Sequence, residues 1–231
     1  ARYGSKSVTI GNLTEAYNAV ARGNGLHEEF VVDDEILRQI NLYGNLCDNL
    51  HTDLHECVGH GSGQLLPGVS GDALRAYGDT IEEARADLFA LYYMADEKLV
   101  ELGLLPDTTA YHAQYYTYLM NGLMTQLVRI QLGHKIEEAH MRNRALIAHW
   151  VLAHAGDAVD IVERSVEGAN EVKHYVQVND YFKLRNLFGE LLAEIQRIKS
   201  EGDFEAARNM VETYAVNVDS VLHEEVMKRY R

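Results

Sequence analysis

The chain has 231 residues, of which 47% are hydrophobic, enough for a core in one or two domains. Its formal net charge of −14 argues against a nucleic-acid partner and against binding to an anionic membrane. No apolar run approaches about 18 residues, so no transmembrane helix is predicted. The two cysteines, Cys47 and Cys57, are too few for a disulfide framework. We therefore expect a soluble, cytoplasmic protein.

Helical spacing of apolar residues dominates the first two thirds of the chain. The first long helix is predicted to begin at Asp33-Asp34 and to end near Gly61. Its apolar side is predicted to carry Ile36, Leu37, Ile40 and Leu42. Three more helices are predicted, from Asp79-Thr80 to Gly103, from about 107 to 130, and from about 136 to 155.

The predicted helix over 107–130 is rich in tyrosine. Tyr111, Tyr115, Tyr116 and Tyr118 fall within two turns of it. We interpret them as residues that pack in the core. An aromatic wall that binds peptides is the alternative.

The last third of the chain contains the predicted strands. Residues 158–166 and 171–178 are rich in valine and alternate in character, and the turn-like Glu167–Asn170 lies between them, which predicts a β-hairpin. A long helix is predicted to begin at Asn179-Asp180, followed by two short ones over 204–214 and 220–230. The fold class is therefore mainly α, with one small hairpin over about 158–178. Residues 1–231 are expected to form a single helical unit.

The segment His55-Glu56-Cys57-Val58-Gly59-His60 has the composition of a metal site. Two histidines that flank a glutamate are how helical zinc peptidases present two ligands and a general base. Here the histidines are five residues apart rather than four. On a regular α-helix, five steps place them about 140° apart, too far round to share one ion. A π-type bulge brings them onto one face, and Gly59 would permit the distortion, so we predict a bulged helix.

A second carboxylate-rich segment is Glu82-Glu83-Ala84-Arg85-Ala86-Asp87, in which Glu83 lies 23 residues after His60. One interpretation is a capping box, with Thr80 as the N-cap and Glu83 three residues later. The other is a metal ligand at Glu83, with Glu82 and Asp87 as the carboxylates that orient metal-bound imidazoles. A capping box accounts for Glu83 but not for the two additional carboxylates.

These motifs, in this order, resemble those of the dipeptidyl peptidase III family of zinc exopeptidases. The run Gly61-Ser62-Gly63-Gln64-Leu65-Leu66 is similar to the family sequence after its first motif. The segment from Ile136 to Arg144 resembles a third family segment, and Gly11-Asn12 resembles an upstream pair. The resemblance covers nearly the whole chain.

The resemblance implies a role for each motif residue. One zinc ion per chain would be held by His55, His60 and Glu83. Glu56 would be the general base that activates water, and Glu82 and Asp87 would orient the two histidines. His140 would stabilise the tetrahedral intermediate, with Arg144 close by. Without the resemblance, His140 is more simply a solvated histidine on a helix face.

The resemblance also implies a function and its partners. Family members release dipeptides from the N-terminus of short peptides, and they are longer proteins with two lobes. We therefore expect this chain to be a fragment of the zinc-bearing lobe, with short peptides and the remaining lobe as partners. The isolated chain is expected to be weakly active or inactive. The alternative is a non-catalytic helical module with a structural or vestigial zinc site.

Overall fold

The computed structural model describes residues 25–165 and 171–230. This part of the chain is mainly helical, with a single two-stranded sheet, so the predicted fold class is confirmed. The α-helices are α1 (Leu26–Phe30), α2 (Asp34–Leu54), α3 (Gly78–Met94), α4 (Glu97–Glu101), α5 (Tyr111–Leu123), α6 (Ala139–His154), α7 (Tyr181–Glu201), α8 (Phe204–Tyr214) and α9 (Ser220–Arg229). A π-helix spans His55–His60, and short 3-10 helices span Arg75–Tyr77 and Thr125–Arg129. The strands are β1 (Val159–Ser165) and β2 (Val172–Val178).

Acidic side chains fix where several helices begin. Asp33 accepts a hydrogen bond from the backbone N–H of Ile36 and starts α2, and Asp180 does the same for α7. Both starts were predicted from the sequence and are confirmed. Leu42, however, was wrongly assigned to the apolar side of α2, since it is exposed. It lies two residues after the buried Ile40, about 200° further round the helix.

The helix predicted from Asp79-Thr80 to Gly103 begins one residue earlier, at Gly78, and ends well before Gly103. The 3-10 turn Arg75–Tyr77 leads directly into α3, so Tyr77 is the N-cap and Thr80 lies inside the helix. The capping box is therefore absent, and the Glu83 side chain does not take part in capping the helix. At the other end α3 stops at Met94, and Asp96 caps the separate helix α4 by accepting from the N–H of Lys98.

Two other helices are shorter than predicted. The segment expected to be helical from about 107 begins as α5 only at Tyr111 and changes to 3-10 geometry after Leu123. Helix α6 begins at Ala139 rather than near 136, because the Glu138 carboxylate caps it. That carboxylate accepts hydrogen bonds from the backbone N–H groups of His140 and Met141.

Helix α3 lies at the centre of the core. It contacts α2, the π-helix, α6 and α7, and most of its side chains are buried. Each fully buried leucine or isoleucine on it contributes about 1.5–3 kcal/mol to folding. Burial on several faces means that polar residues of α3 face neighbouring elements rather than solvent. This placement determines the site described below.

The tyrosines of α5 confirm the core interpretation. Tyr115, Tyr116 and Tyr118 are almost completely buried, and each hydroxyl donates a hydrogen bond. Tyr115 donates to the carbonyl of Leu91 on α3, and Tyr116 donates to the carbonyl of Val176 on β2. The aromatic residues thus connect α5 to its neighbours through both packing and hydrogen bonds.

The predicted hairpin is present. Strands β1 and β2 are antiparallel, with pairs running from Val159 opposite Val178 to Ser165 opposite Val172. Val176 is buried against the helices, so the hairpin is part of the core. The turn predicted at Glu167–Asn170 and the pair Gly11-Asn12 lie outside the described residues. Over the residues that are described, no helix is both long and apolar enough to cross a membrane.

Candidate metal centre

The predicted bulge is confirmed: residues His55–His60 form a π-helix that continues α2. In a π-helix, hydrogen bonds join residues five apart, so such residues share one face, and the two histidines are five apart. Their Nε2 atoms accordingly approach to 3.0 Å. The extra residue in the motif is therefore absorbed by the backbone, and both imidazoles face the same point.

Gly59 has a different role from the one expected. Its φ is not positive, so the bulge does not depend on glycine's conformational freedom. Instead, the π-helix lies directly against α3 at this residue. A Cβ on Gly59 would lie 2.7 Å from the Cα of Ala86. Glycine is needed here because two backbones approach closely.

Glu83 projects from α3 towards the two imidazoles. Its Oε2 lies 3.3 Å from His55 Nε2, and its Oε1 lies 3.8 Å from His60 Nε2. Donors in a tetrahedral zinc site, with bonds of about 2.0–2.1 Å, lie about 3.3 Å apart. Oε2 of Glu83 is also buried without a hydrogen-bond partner. A buried carboxylate oxygen in that state is well suited to a cation.

Asp87 orients His55 despite being shorter than glutamate. Its Oδ1 accepts from His55 Nδ1 at 2.6 Å and from His51 Nε2 at 3.0 Å. Its Oδ2 accepts from the Tyr118 hydroxyl at 2.7 Å and from the Asn143 amide at 3.0 Å. Burial alone would raise the pKa of Asp87, but these hydrogen bonds, led by those of His51 and His55, lower it. The carboxylate is thus held ionised and in one orientation.

Glu82 orients His60 in the same way. Its Oε1 accepts from His60 Nδ1 at 2.8 Å. Arg85 donates to both carboxylate oxygens, at 2.9 and 3.0 Å, and Lys199 on α7 also contacts Glu82. Burial raises the pKa of Glu82, but hydrogen bonds from Arg85, Lys199 and His60 outweigh it and lower the pKa to about 2.

The two carboxylates determine which imidazole nitrogen is available. Each histidine donates its Nδ1–H to a carboxylate, so the neutral imidazole presents a lone pair at Nε2. Two such lone pairs lie 3.0 Å apart and beside the Glu83 carboxylate. Burial lowers the pKa of His55, but the neighbouring carboxylates of Asp87 and Glu83 raise it to about 10. This donor set therefore needs a positive charge, which a metal ion would supply in place of a proton.

Glu56 lies near the same donors. One ligand atom from each of His55, Glu56 and His60 falls within 4.8 Å of the others. Glu56 and Glu83 are therefore rival carboxylates for the same pair of histidines. Glu83 has the stronger claim to be a ligand, because it contacts both Nε2 atoms and has an oxygen without a hydrogen-bond partner. Another group, His51, His55 and Asp87, is joined by hydrogen bonds of 2.6 and 3.0 Å.

His140 and Arg144 lie on α6, and His140 is close to Glu83. The Nδ1 of His140 is 3.4 Å from Glu83 Oε2, and 56% of its side chain is exposed. Arg144 follows one turn later and is half-buried. Burial raises the pKa of Tyr118, and the positive charge of Arg144 acts in the opposite direction. All eight predicted site residues therefore lie on or beside one cluster, formed by the π-helix, α3 and α6.

The sequence interpretation missed several contacting residues. These are His51, Arg85, Tyr118, Asn143 and Lys199. Two of them had a local signal: His51 precedes His55 by one helical turn, and Arg85 follows Glu82 by three residues. The other three come from α5, α6 and α7, and only the packing of those helices brings them to the site.

Comparison with known proteins identifies the family. The model described as "Peptidase family M49" matches residues 69–229. The chain belongs to peptidase family M49. The matched range includes the segment from Glu82 to Asp87 and also His140 and Arg144, and it begins after the His55–His60 motif.

The chain is also similar to solved structures over more of its length than the family model covers. The structure of DPP III from Caldithrix abyssi is 25% identical, with a TM-score of 0.67, and the match covers 97% of this chain. The structure of dipeptidyl-peptidase III from Corallococcus sp. strain EGB is 20% identical, with a TM-score of 0.60, and the match covers 90% of this chain. At this level of identity, the likeness concerns the fold alone. The chain spans 38% of the length of each of these proteins. The resemblance to the dipeptidyl peptidase III family is thereby confirmed.

Proposed function

We propose that this M49 chain is the zinc-binding catalytic lobe of a peptidase that releases dipeptides from the N-terminus of short peptides. The observation that carries the proposal is the convergence of His55 Nε2, His60 Nε2 and Glu83 at 3.0–3.8 Å. Each histidine is oriented by its own carboxylate. Two imidazoles and one carboxylate are the donor set of catalytic rather than structural zinc sites.

A zinc ion held by His55, His60 and Glu83 would lower the pKa of water towards neutrality and polarise a peptide carbonyl. Asp87 and Glu82 keep the Nδ1 protons on the two histidines, so that the Nε2 lone pairs stay directed at the ion. His51, Tyr118 and Asn143 keep Asp87 in place. The ligands are therefore preorganised before any metal binds.

Glu56 is the proposed general base. It is adjacent to His55 in the π-helix, and its carboxylate is within 4.8 Å of the histidine ligand atoms. At this position its carboxylate accepts a proton from water and then passes it to the departing amine. His140 is exposed beside Glu83, and its proposed role is to donate a hydrogen bond to the developing oxyanion. Arg144, one turn away, adds positive charge to that side.

Substrate positioning would require more of the protein than this chain. Positioning supplies a large share of catalytic power, and the chain spans 38% of the DPP III structures it matches. We therefore propose that short peptides bind between this lobe and a second one, and that the chain alone is a poor peptidase.

The second candidate is a non-catalytic module with a structural zinc site. The observation that favours it is Glu56 itself, because its carboxylate, within 4.8 Å of the histidine ligand atoms, could be the fourth ligand of a closed site. The two functions make opposite predictions for Glu56. A base can be replaced without loss of metal, whereas a ligand cannot.

Glu56→Gln separates the two candidates. The proposed function expects the full-length variant to retain zinc, measured by elemental mass spectrometry, and to release no dipeptide from a chromogenic dipeptidyl substrate. Glu83→Gln is the matched control, and it is expected to lose both zinc and activity. Loss of zinc from Glu56→Gln would instead support the structural site. The same measurement identifies the ion, because cobalt, manganese or copper also bind such donors in vitro.

A further inference from the structure

Arg85 is a fully buried arginine, and each nitrogen of its guanidinium group has a hydrogen-bond partner. It projects from α3, and its side chain has no exposed surface. Nε and Nη2 donate to the two oxygens of Glu82 at 3.0 and 2.9 Å. Nη2 also donates to the carbonyl of Gly59 at 2.7 Å, and Nη1 lies 3.3 Å from Ser62 Oγ and 3.4 Å from Gln196 Oε1.

These partners lie on both sides of His60. Gly59 is the residue before His60 in the chain, and Arg85 binds its carbonyl. Glu82 binds the His60 imidazole through the same Oε1 that accepts from Arg85 Nη2. One guanidinium group therefore holds the backbone of the bulge and the carboxylate that orients its histidine.

Arg85 also contacts the turn that follows the π-helix. The carbonyl of Gly59 also accepts from the backbone N–H and the hydroxyl of Ser62, which form the turn after the bulge. Arg85 contacts both Gly59 and Ser62. It thus joins α3 to the turn where the chain leaves the metal motif.

Charge alone does not explain why an arginine is buried here. Lys199 already supplies a cation to Glu82. Removing an arginine from water is costly, and an apolar side chain of similar volume often serves a core equally well. What only arginine provides is a planar fork that bonds two carboxylate oxygens and a carbonyl at once.

We propose that Arg85 is a positioning residue that fixes the direction of His60 by holding Gly59 and Glu82 together. The inference rests on the proposed metal site, in which His60 is a ligand. It assigns Arg85 no contact with substrate or metal. Its effect should therefore appear in metal binding and geometry before it appears in the fold.

The test compares Arg85→Lys with Arg185→Lys in the full-length protein. Arg185 is the matched control because it also links α7 to α3, by donating to the carbonyl of Tyr92 at 3.2 Å, and it lies away from the metal motif. Lysine keeps the charge at both positions but removes the fork. Zinc dissociation into a chelator is followed for both variants and the native protein, together with the visible absorption spectrum of the cobalt-substituted forms.

The proposal expects Arg85→Lys to fold cooperatively, to lose zinc affinity by about 10–100-fold through faster dissociation, and to shift the cobalt spectrum. Arg185→Lys is expected to leave both properties unchanged. Native zinc retention and spectrum in Arg85→Lys would overturn the inference while leaving the metal site intact. A failure of Arg85→Lys to fold would also overturn it, by assigning Arg85 to the core. If the native protein binds no zinc, the proposed function itself fails.

Discussion

Replacing Gly59 by alanine tests whether the close contact between the π-helix and α3 positions the metal ligands. The added Cβ would lie 2.7 Å from Ala86 Cα, 2.8 Å from its Cβ and 2.9 Å from its carbonyl oxygen. Two of these three atoms belong to the backbone of a buried helix, so no flexible side chain can move aside. Ordinary contacts begin at 3.4 Å, so the two elements must separate by about 0.7 Å.

That separation has two consequences of calculable size. Overpacking of this kind costs about 1–3 kcal/mol of folding free energy. Metal sites tolerate displacements of only about 0.2 Å in ligand distance, and His60 is adjacent to Gly59 while Glu83 lies on α3. A shift of about 0.7 Å between the elements that carry them should therefore weaken zinc binding by at least about tenfold, which is about 1.4 kcal/mol.

Urea unfolding of the metal-free protein gives the stability change, and competition with a chelator gives the zinc affinity. Gly71→Ala is the matched control, because a Cβ there meets nothing within 4 Å and φ is not positive. It is expected to change stability by no more than about 0.5 kcal/mol. If Gly59→Ala unfolds at the native urea concentration and binds zinc as tightly as the native protein, the close-contact reasoning is refuted.

Three further predictions concern other parts of the structure. Asp87→Asn removes the carboxylate that accepts from His55, and it should weaken zinc affinity by about 10–100-fold in a chelator titration; native affinity would contradict the role of Asp87. Tyr116→Phe removes the hydroxyl that donates to the carbonyl of Val176, and the free energy of unfolding in urea should fall by about 1–3 kcal/mol. An unchanged free energy would mean that this hydrogen bond does not stabilise the hairpin. Burial raises the pKa of Glu225, but hydrogen bonds from His174 and Arg229 lower it overall, so its stabilising effect is present above the ordinary glutamate pKa and is lost as pH falls below it. Unfolding free energy should therefore decrease in acid, less steeply in Glu225→Gln, and equal slopes would exclude this contribution.

Local spacing was enough to predict the bulge at the candidate metal centre. The number of residues between His55 and His60 is incompatible with a regular helix, so the bulge followed from geometry within six residues. The carboxylates at Glu82 and Asp87 belong to one short segment in the same way. The relative positions of side chains within one or two helical turns can be inferred from the sequence, because the backbone fixes the spacing between them.

Most of the surroundings of Asp87 could not be predicted, because they come from three different helices. His51 on α2, Tyr118 on α5 and Asn143 on α6 meet at one carboxylate only when the core packs. In the sequence, Tyr118 is one of several tyrosines in an apolar helix. Which tyrosine turns its hydroxyl towards Asp87 depends on tertiary contacts between residues 31 positions apart.

The errors at helix ends also have physical causes. The start of α3 was placed at Asp79-Thr80 because the sequence there matches a capping box. The 3-10 turn at Arg75–Tyr77 leads directly into the helix, so no capping side chain is needed at Thr80. The break after Met94 contains neither glycine nor proline, and Asp96 is the residue that starts the next helix. A single acidic residue within a helical pattern is a weak signal in the sequence.

Zinc stoichiometry is the strongest test of whether His55, His60 and Glu83 form a metal site. The purified protein is dialysed against metal-free buffer, and its zinc content is measured by elemental mass spectrometry beside that of His55→Ala. The expected result is about one zinc ion per native chain and almost none in the variant. A native chain that holds no zinc and takes up none when zinc is added would contradict it.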